Sequence, residues 1–433
     1  MKRNLSIALL VAVLLSTSAC QQEYLNPSSA SETQAVTDVN GLLALANGLQ
    51  YRYTISRTSP VYNAVTGSGL STRGLVVLNA GNTDEDNLGR GGANVRGSDN
   101  AVVRNLWQES LLVNANADLI LNNLGIVTDA QLKASLQAHA SIFKALSLGT
   151  LAQFFEQVPI SSGFNAAFSP RADALREAIR LLETAQTALG TGGLSPTFTG
   201  RVVTGIDIPN TLNALIARYA LFVGDFDKAL AAAAKVDLTK RSEFRFDDNT
   251  RNPIFETALS NVNVYQPTDL NLGLPAALAP NPADRRLDFY FQSRTPTNGV
   301  YRGKGFFTAN NASIPVYLPG EISLIKAEAY ARKNDLDNAI RELNVVLTKT
   351  TDAWGLGAAL PAYAGARTQA DVLTEIYRNR RIELFMSGLE LEDSRRFGRP
   401  AAGTPGAERT RNWYPYPQSE RDNNTATPAD PAI

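Results

Sequence analysis

Apolar residues recur at helical spacing along most of the chain. The pattern predicts helices over Val36–Thr54, Asn100–Leu124, Asp129–Phe155, Arg171–Leu189, Asn210–Gly224, Asp227–Lys235, Gly320–Arg332, Leu336–Leu347 and Gln369–Ser387. In the second of these, Leu106, Leu111, Ala115, Leu119 and Asn122 fall on a repeating face. Ser169-Pro170 reads as an N-cap with proline at the first turn of the fourth. Two stretches break the period. Residues 56–97 are rich in turn formers, and 237–320 are irregular, with strand-like pieces at Ile254–Glu256 and Asn261–Tyr265. Unstructured segments of that length inside a compact domain are functional or specifically packed. The tail from Gly398 is polar and proline-containing.

Two of the predicted helix pairs resemble each other. ARYALFVGDFDKAL (Ala217–Leu230) aligns with AEAYARKNDLDNAI (Ala327–Ile340). Gly224 and Asn334 mark the turns, each followed by Asp; Phe226 matches Leu336 and Ala229 matches Ala339. Small residues let paired helices approach and a turn former joins them, as in tetratricopeptide units. The two units lie much further apart than one repeat length, so a helical scaffold with long insertions is expected. The fold class predicted is mostly α, in a single domain over 34–433 with insertions at about 56–97 and 237–320.

The N-terminus has a different pattern. Met1-Lys2-Arg3-Asn4 is basic, Leu5–Leu15 is apolar, and Ser16–Ala19 are small or polar. That is the order of an export signal. Its core of about 11 residues is short of the roughly 20 a spanning helix needs. Cys20, the only cysteine, follows directly and cannot form an intramolecular disulfide. The pattern resembles a bacterial lipoprotein signal, with Thr17 where such signals usually carry Leu. Residues 1–19 are expected to be removed and Cys20 to be lipidated, with 20–33 as a tether.

Composition narrows the chemistry. Lys+Arg and Asp+Glu balance at 41 each, and 44% of residues are apolar, enough for a large core. A nearly neutral chain lacks the basic footprint of nucleic-acid binding. His139, the single histidine, lies within a helical run and reads as structural. One histidine and one lipidated cysteine are too few for a zinc site of those ligands. No nucleophile elbow or phosphate-cradling loop is present. Paired carboxylates for glycoside hydrolysis are not marked. Asp84-Glu85-Asp86-Asn87 offers oxygen ligands without the spacing of a calcium loop, so a solvated or capping role is expected. No enzyme activity, metal or cofactor is predicted.

Several stretches together resemble the SusD-like (RagB/SusD) family of outer-membrane nutrient-binding lipoproteins. They are Cys20 with Tyr24-Leu25-Asn26-Pro27, then Thr83-Asp84-Glu85, then Ala145 through Phe155 to Val158-Pro159. Most specific is IYRNRRIELFMSGLELEDSRRFG, Ile376–Gly398, which carries Arg380, Arg381, Glu383, Leu384, Gly388, Asp393, Arg395 and Arg396. Tyr414-Pro415-Tyr416-Pro417, Glu420 and Asn423-Asn424 resemble the family's ending. Arg380, Glu383, Asp393 and Arg396 are expected to form a structural salt-bridge network, with Arg380 and Glu383 pairing with each other or with Asp393 and Arg396.

The resemblance implies a lipid-anchored protein on the outside of the outer membrane. It would capture oligosaccharide, peptide or other polymer fragments for a SusC-like TonB-dependent channel. Candidate ligand residues come from the irregular segments: Asn82, Asp84 and Asp86 in the first, Tyr265, Tyr290 and Tyr301 in the second, and Trp354 after the second repeat-like pair. Trp107 is expected in the core and Trp413 in the packing of the tail. The competing readings are a surface scaffold binding protein or peptide without an import role, and a lipoprotein hydrolase.

Overall fold

A computed structural model describes residues 36–96 and 100–433; the leader, Cys20 and the tether lie outside them. The chain opens with α1 (Val39–Thr54) and α2 (Pro60–Ser71), then strand β1 (Leu75–Val77) and α3 (Thr83–Arg90). Two long helices follow, α4 (Ala101–Asn122) and α5 (Ala130–Phe154). Strands β2 (Gln157–Pro159) and β3 (Phe168–Pro170) lead into α6 (Arg171–Leu189) and α7 (Pro196–Arg201). The first helical hairpin is α8 (Ile208–Val223) with α9 (Phe226–Ala233). The central segment holds β4 (Glu243–Phe244), a π-helical turn (Phe255–Leu259), β5 (Tyr265–Pro267), α10 (Arg286–Tyr290) and β6 (Ile314–Pro315). The second hairpin, α11 (Pro319–Arg332) and α12 (Leu336–Thr348), precedes α13 (Gln369–Glu383), α14 (Glu390–Arg396) and α15 (Gln418–Asn423).

Consecutive helices pack as a continuous array, α4 on α5, α5 on α6, α6 on α8, α8 on α9, α9 on α11, α11 on α12 and α13. The centre is α5, buried along almost its whole length from Leu132 to Phe154. A helix apolar all round belongs in a core. The two hairpins share one turn chemistry. Gly224 and Asn334 take left-handed φ of 82° and 61°, and Asp225 and Asp335 cap the following helices by accepting from the backbone N–H groups of Lys228 and Asn338. Because α9 packs on α11, the insertion between the hairpins loops out and leaves them adjacent.

Three two-stranded antiparallel ladders pin the loops to this array: β1 with β5, β2 with β3, β4 with β6. Two of them join segments distant in the chain, in registers such as Val76 opposite Gln266 and Phe244 opposite Ile314.

The structure corrects several local expectations. Residues 56–97 are not an irregular insertion, since α2 and α3 occupy much of them. Eleven of the twelve α2 residues are buried, although Thr, Gly, Ser and Asn are weak helix formers. Their small size is what packing uses: a Cβ on Gly67 would stand 2.7 Å from the Tyr414 hydroxyl. Ser59 caps α2 and Pro60 begins it, the signal expected instead at Ser169-Pro170, where no side-chain cap forms. The buried face of α4 runs through Val103, Leu106, Ser110, Val113, Ala117 and Ile120, so of the expected set only Leu106 is buried. Ile254–Glu256 enters the π-helical turn and is not a strand.

Candidate functional site

The central segment and the loop after α12 meet in an open cleft of about 380 Å³, lined by Arg285, Asp288, Phe289, Lys304, Gly305, Thr308, Thr350, Gly355 and Gly357. That size is within the usual range for small-ligand sites. Its frame begins at adjacent arginines that face opposite ways. Arg286 is fully buried: it holds Asp284 at 2.6 Å, Glu383 at 3.1 Å and the Asn379 side-chain oxygen at 2.8 Å. Glu383 also accepts from Lys349 at 2.5 Å, and Lys349 reaches Asp352 at 2.7 Å. The Tyr290 hydroxyl donates to the Glu383 carbonyl at 2.6 Å. These contacts tie α10, α13 and the 349–359 loop together, leaving Arg285, Asp288 and Phe289 on the outer side of α10.

Main-chain bonds complete the walls. Arg285 N–H donates to Ala358 at 3.1 Å, Lys304 N–H to Tyr290 at 2.9 Å and Gly305 N–H to Phe289 at 3.2 Å. Phe289 packs edge-on against Phe306 at 5.0 Å, and Phe306 against Trp354 at 5.5 Å. Of these rings Phe289 belongs to the lining; an aromatic ring with a few convergent polar groups is suited to holding a ligand that has both apolar faces and polar edges.

The electrostatics separate frame from lining. Burial opposes charge on Arg286, but Asp284 and Glu383 outweigh it and raise its pKa above the ordinary value. Burial likewise pushes Glu383 up, yet Lys349 and Arg286 hold it below the usual carboxylate range. At the cleft, the hydrogen bond from Arg294 lowers the pKa of Asp288, and the charges of Arg294, Lys304 and Arg285 add to this.

Of the residues singled out in the sequence, Tyr265 and Tyr290 are 0% and 1% exposed, so neither presents a ring to a ligand. Tyr265 accepts from Thr66 at 3.1 Å, and Tyr290 braces Glu383. Their ring planes fill the core because aromatic composition in a loop does not specify which way a ring turns. Tyr301 is half-buried and packs on Phe291 at 6.0 Å. Trp354 is half-buried beside Phe306, with the Arg241 guanidinium 4.0 Å from its ring centroid. Asn82 donates to the Asn79 and Asn263 carbonyls, each at 3.1 Å. Asp84 and Asp86 lie in the first turn of α3; Asp86 pairs with Arg90 at 2.8 Å. None of these three acidic or amide residues lines the cleft. Their neighbour Glu85 is buried against Arg57 at 2.6 Å.

Sequence reasoning missed Arg285, Asp288, Phe289, Lys304, Thr308 and Thr350. The available signal was the Arg-Arg-Leu-Asp-Phe-Tyr run at 285–290, in which the side chains at 286, 287 and 290 are buried while those at 285, 288 and 289 are not. The expected ion network also divides. Arg380 pairs with Asp393 at 2.9 Å, and Arg396 with Asp393 at 2.7 Å and Glu328 at 2.8 Å. Glu383 is not part of that group; it serves Arg286 and Lys349. Trp107 is fully buried as expected, and Trp413 stacks under Arg395 at 3.8 Å in the tail. His139 is buried and bonded to the Ala46 carbonyl at 3.0 Å.

A second opening is an internal crevice of about 90 Å³ beside the Arg218–Glu321 pair, whose two bonds measure 2.6 and 2.7 Å. It has room for several waters and falls well below the roughly 300 Å³ of small-molecule sites. No helix among the described residues is long and apolar enough to cross a membrane.

The fold is an array of paired helices carrying looped-out insertions, with a cleft on the insertions. Residues 244–431 match the model of the SusD family. A SusD superfamily protein from Bacteroides thetaiotaomicron superposes with a TM-score of 0.71 at 16% identity, over 91% of this chain and 100% of that one. One from Bacteroides fragilis gives 0.69 at 17%, over 90% and 99%. A SusD-like carbohydrate binding protein from Bacteroides vulgatus gives 0.64 at 17%, over 87% and 86%. Among curated proteins none matches. The chain is thus similar to these structures in fold over nearly its whole length, and to the SusD family in sequence over 244–431.

Proposed function

We propose that this protein captures oligosaccharide or other polymer fragments at the cell surface and delivers them to a SusC-like TonB-dependent outer-membrane channel, anchored by lipid on Cys20. Its role is recognition, with no bond broken. The observation that carries this reading is the open cleft, whose Phe289 ring and polar lining sit on a frame of buried ion pairs. The SusD-family match over 244–431, which includes every lining residue of the cleft, supports it. So does the likeness in fold to a protein described as carbohydrate-binding.

Affinity purification of the lipidated protein from gently solubilised native outer membranes tests the proposal. A co-purifying barrel with a TonB-interaction segment is the expected result. A protein that is lipidated and surface-exposed but brings down no barrel would remove the import role and favour a surface scaffold presenting its stacked hairpins.

A further inference from the structure

We infer that the cleft takes an acidic saccharide, one bearing carboxylates on its sugar rings. The inference rests on the capture reading and adds the ligand's charge. Arg285 is exposed and Lys304 half-exposed, and neither side chain has an ion-pair or hydrogen-bond partner among the described residues, although both line the cleft. The only acid in the lining, Asp288, is already engaged: Arg294 holds its two oxygens at 2.6 and 2.9 Å. Among the described residues, two cations without an ion-pair or hydrogen-bond partner therefore face a cleft whose one carboxylate is bonded to a third.

This excess is local. The whole chain balances 41 basic against 41 acidic residues, and the neighbouring Arg286, Lys349 and Arg294 all have carboxylate partners. Side by side on α10, Arg286 spends its charge on the frame and Arg285 does not. A guanidinium offers a carboxylate two parallel N–H bonds, and an ammonium adds a point charge. The half-buried Phe289 ring supplies an apolar surface for a sugar face, and Thr308 and Thr350 line the same cleft. Charge complementarity of this kind selects among ligands of similar shape.

The test is calorimetric titration of the purified protein with oligomers of galacturonate and of glucuronate, each compared with its fully methyl-esterified form. The ester keeps the rings and removes the charge. The acid form should bind at least about tenfold more tightly, and affinity should fall as salt rises. Arg285→Gln and Lys304→Gln should each weaken binding of the acid several-fold, with unchanged thermal melts, and together erase the preference over the ester. Equal binding of acid and ester, no binding of any acidic oligomer, or indifference to both substitutions would overturn the inference. A neutral oligosaccharide that binds and is lost on Phe289→Ala would overturn it while leaving the capture reading intact. Binding of an acidic peptide with no saccharide bound would remove the saccharide reading as well.

Discussion

Two buried charge clusters start from neighbouring turns of α13 and do different work. Arg380 reaches Asp393, which shares Arg396 with Glu328; this cluster joins α13, α14 and α11, elements that are already packed helices. Glu383, three residues on, reaches Arg286 and Lys349 and holds a five-residue helix and an irregular loop. The first reinforces a scaffold that apolar faces also secure. The second stands in for an apolar face that α10 is too short to provide. Buried ion pairs seldom add net stability over well-packed apolar groups, but losing one partner is costly. The expectation is that both clusters are sensitive, and only the second governs the cleft.

The strongest way to break that contrast is Arg286→Met. It strands Asp284 in the interior, leaves Glu383 with Lys349 alone, and should cost about 3–5 kcal/mol in urea unfolding. Ligand affinity of the protein that remains folded should fall with it. Asp393→Asn should cost less, about 1.5–3 kcal/mol, because Arg396 keeps Glu328, and should leave affinity unchanged. Equal loss of affinity in the two variants would show that the clusters are one network.

Acid titration sharpens the comparison by adding a buried group that has no charged partner. Burial lowers the pKa of His139 to about 4, against the bond to Ala46. The unfolded chain takes up this proton near pH 6.5 and the native chain only near 4. Stability should therefore be full above about pH 6.5 and decline toward pH 4, by roughly 3 kcal/mol in total. His139→Gln should flatten that limb of the stability–pH curve. Glu328, Glu383, Glu392 and Asp393 are also held below the ordinary carboxylate range, by their arginine and lysine partners against burial. Their contribution is present above the ordinary carboxylate values and is lost as pH falls through the lowered native ones, so it should persist in the variant and fail only in stronger acid.

The smallest effect compares the hairpins with each other. Asp225→Ala and Asp335→Ala each remove one helix cap and should each cost about 1 kcal/mol, read as a shift in the urea midpoint. Similar costs would show the two turns to be equivalent; a much larger one would mark its hairpin as the more dependent on local capping.

Much of the scaffold was legible because helices are short-range structures. The predicted Arg171–Leu189 is α6, Leu336–Leu347 differs from α12 by one residue, and the shared Gly/Asn-Asp turns forecast both hairpins. The face of α4 was misassigned because Trp107, Ser110 and Asn114 are all buried on it, and two of those are polar. The helix α2 was missed because its Gly, Ser and Thr look like a loop until Leu75, Glu390 and Tyr414 are brought against them.

By itself the sequence determined the helical periods, the capped turns and the place of Trp107, since each depends on neighbours within a few residues or on apolar character alone. The tertiary structure decided which of two adjacent arginines is buried, that Tyr265 and Tyr290 face inward, and that Glu383 turns from Arg380 to Arg286. The physical reason is distance along the chain. Glu383 meets Arg286 across 97 positions, and the direction of a charged or aromatic side chain is settled by the partner folding brings to it.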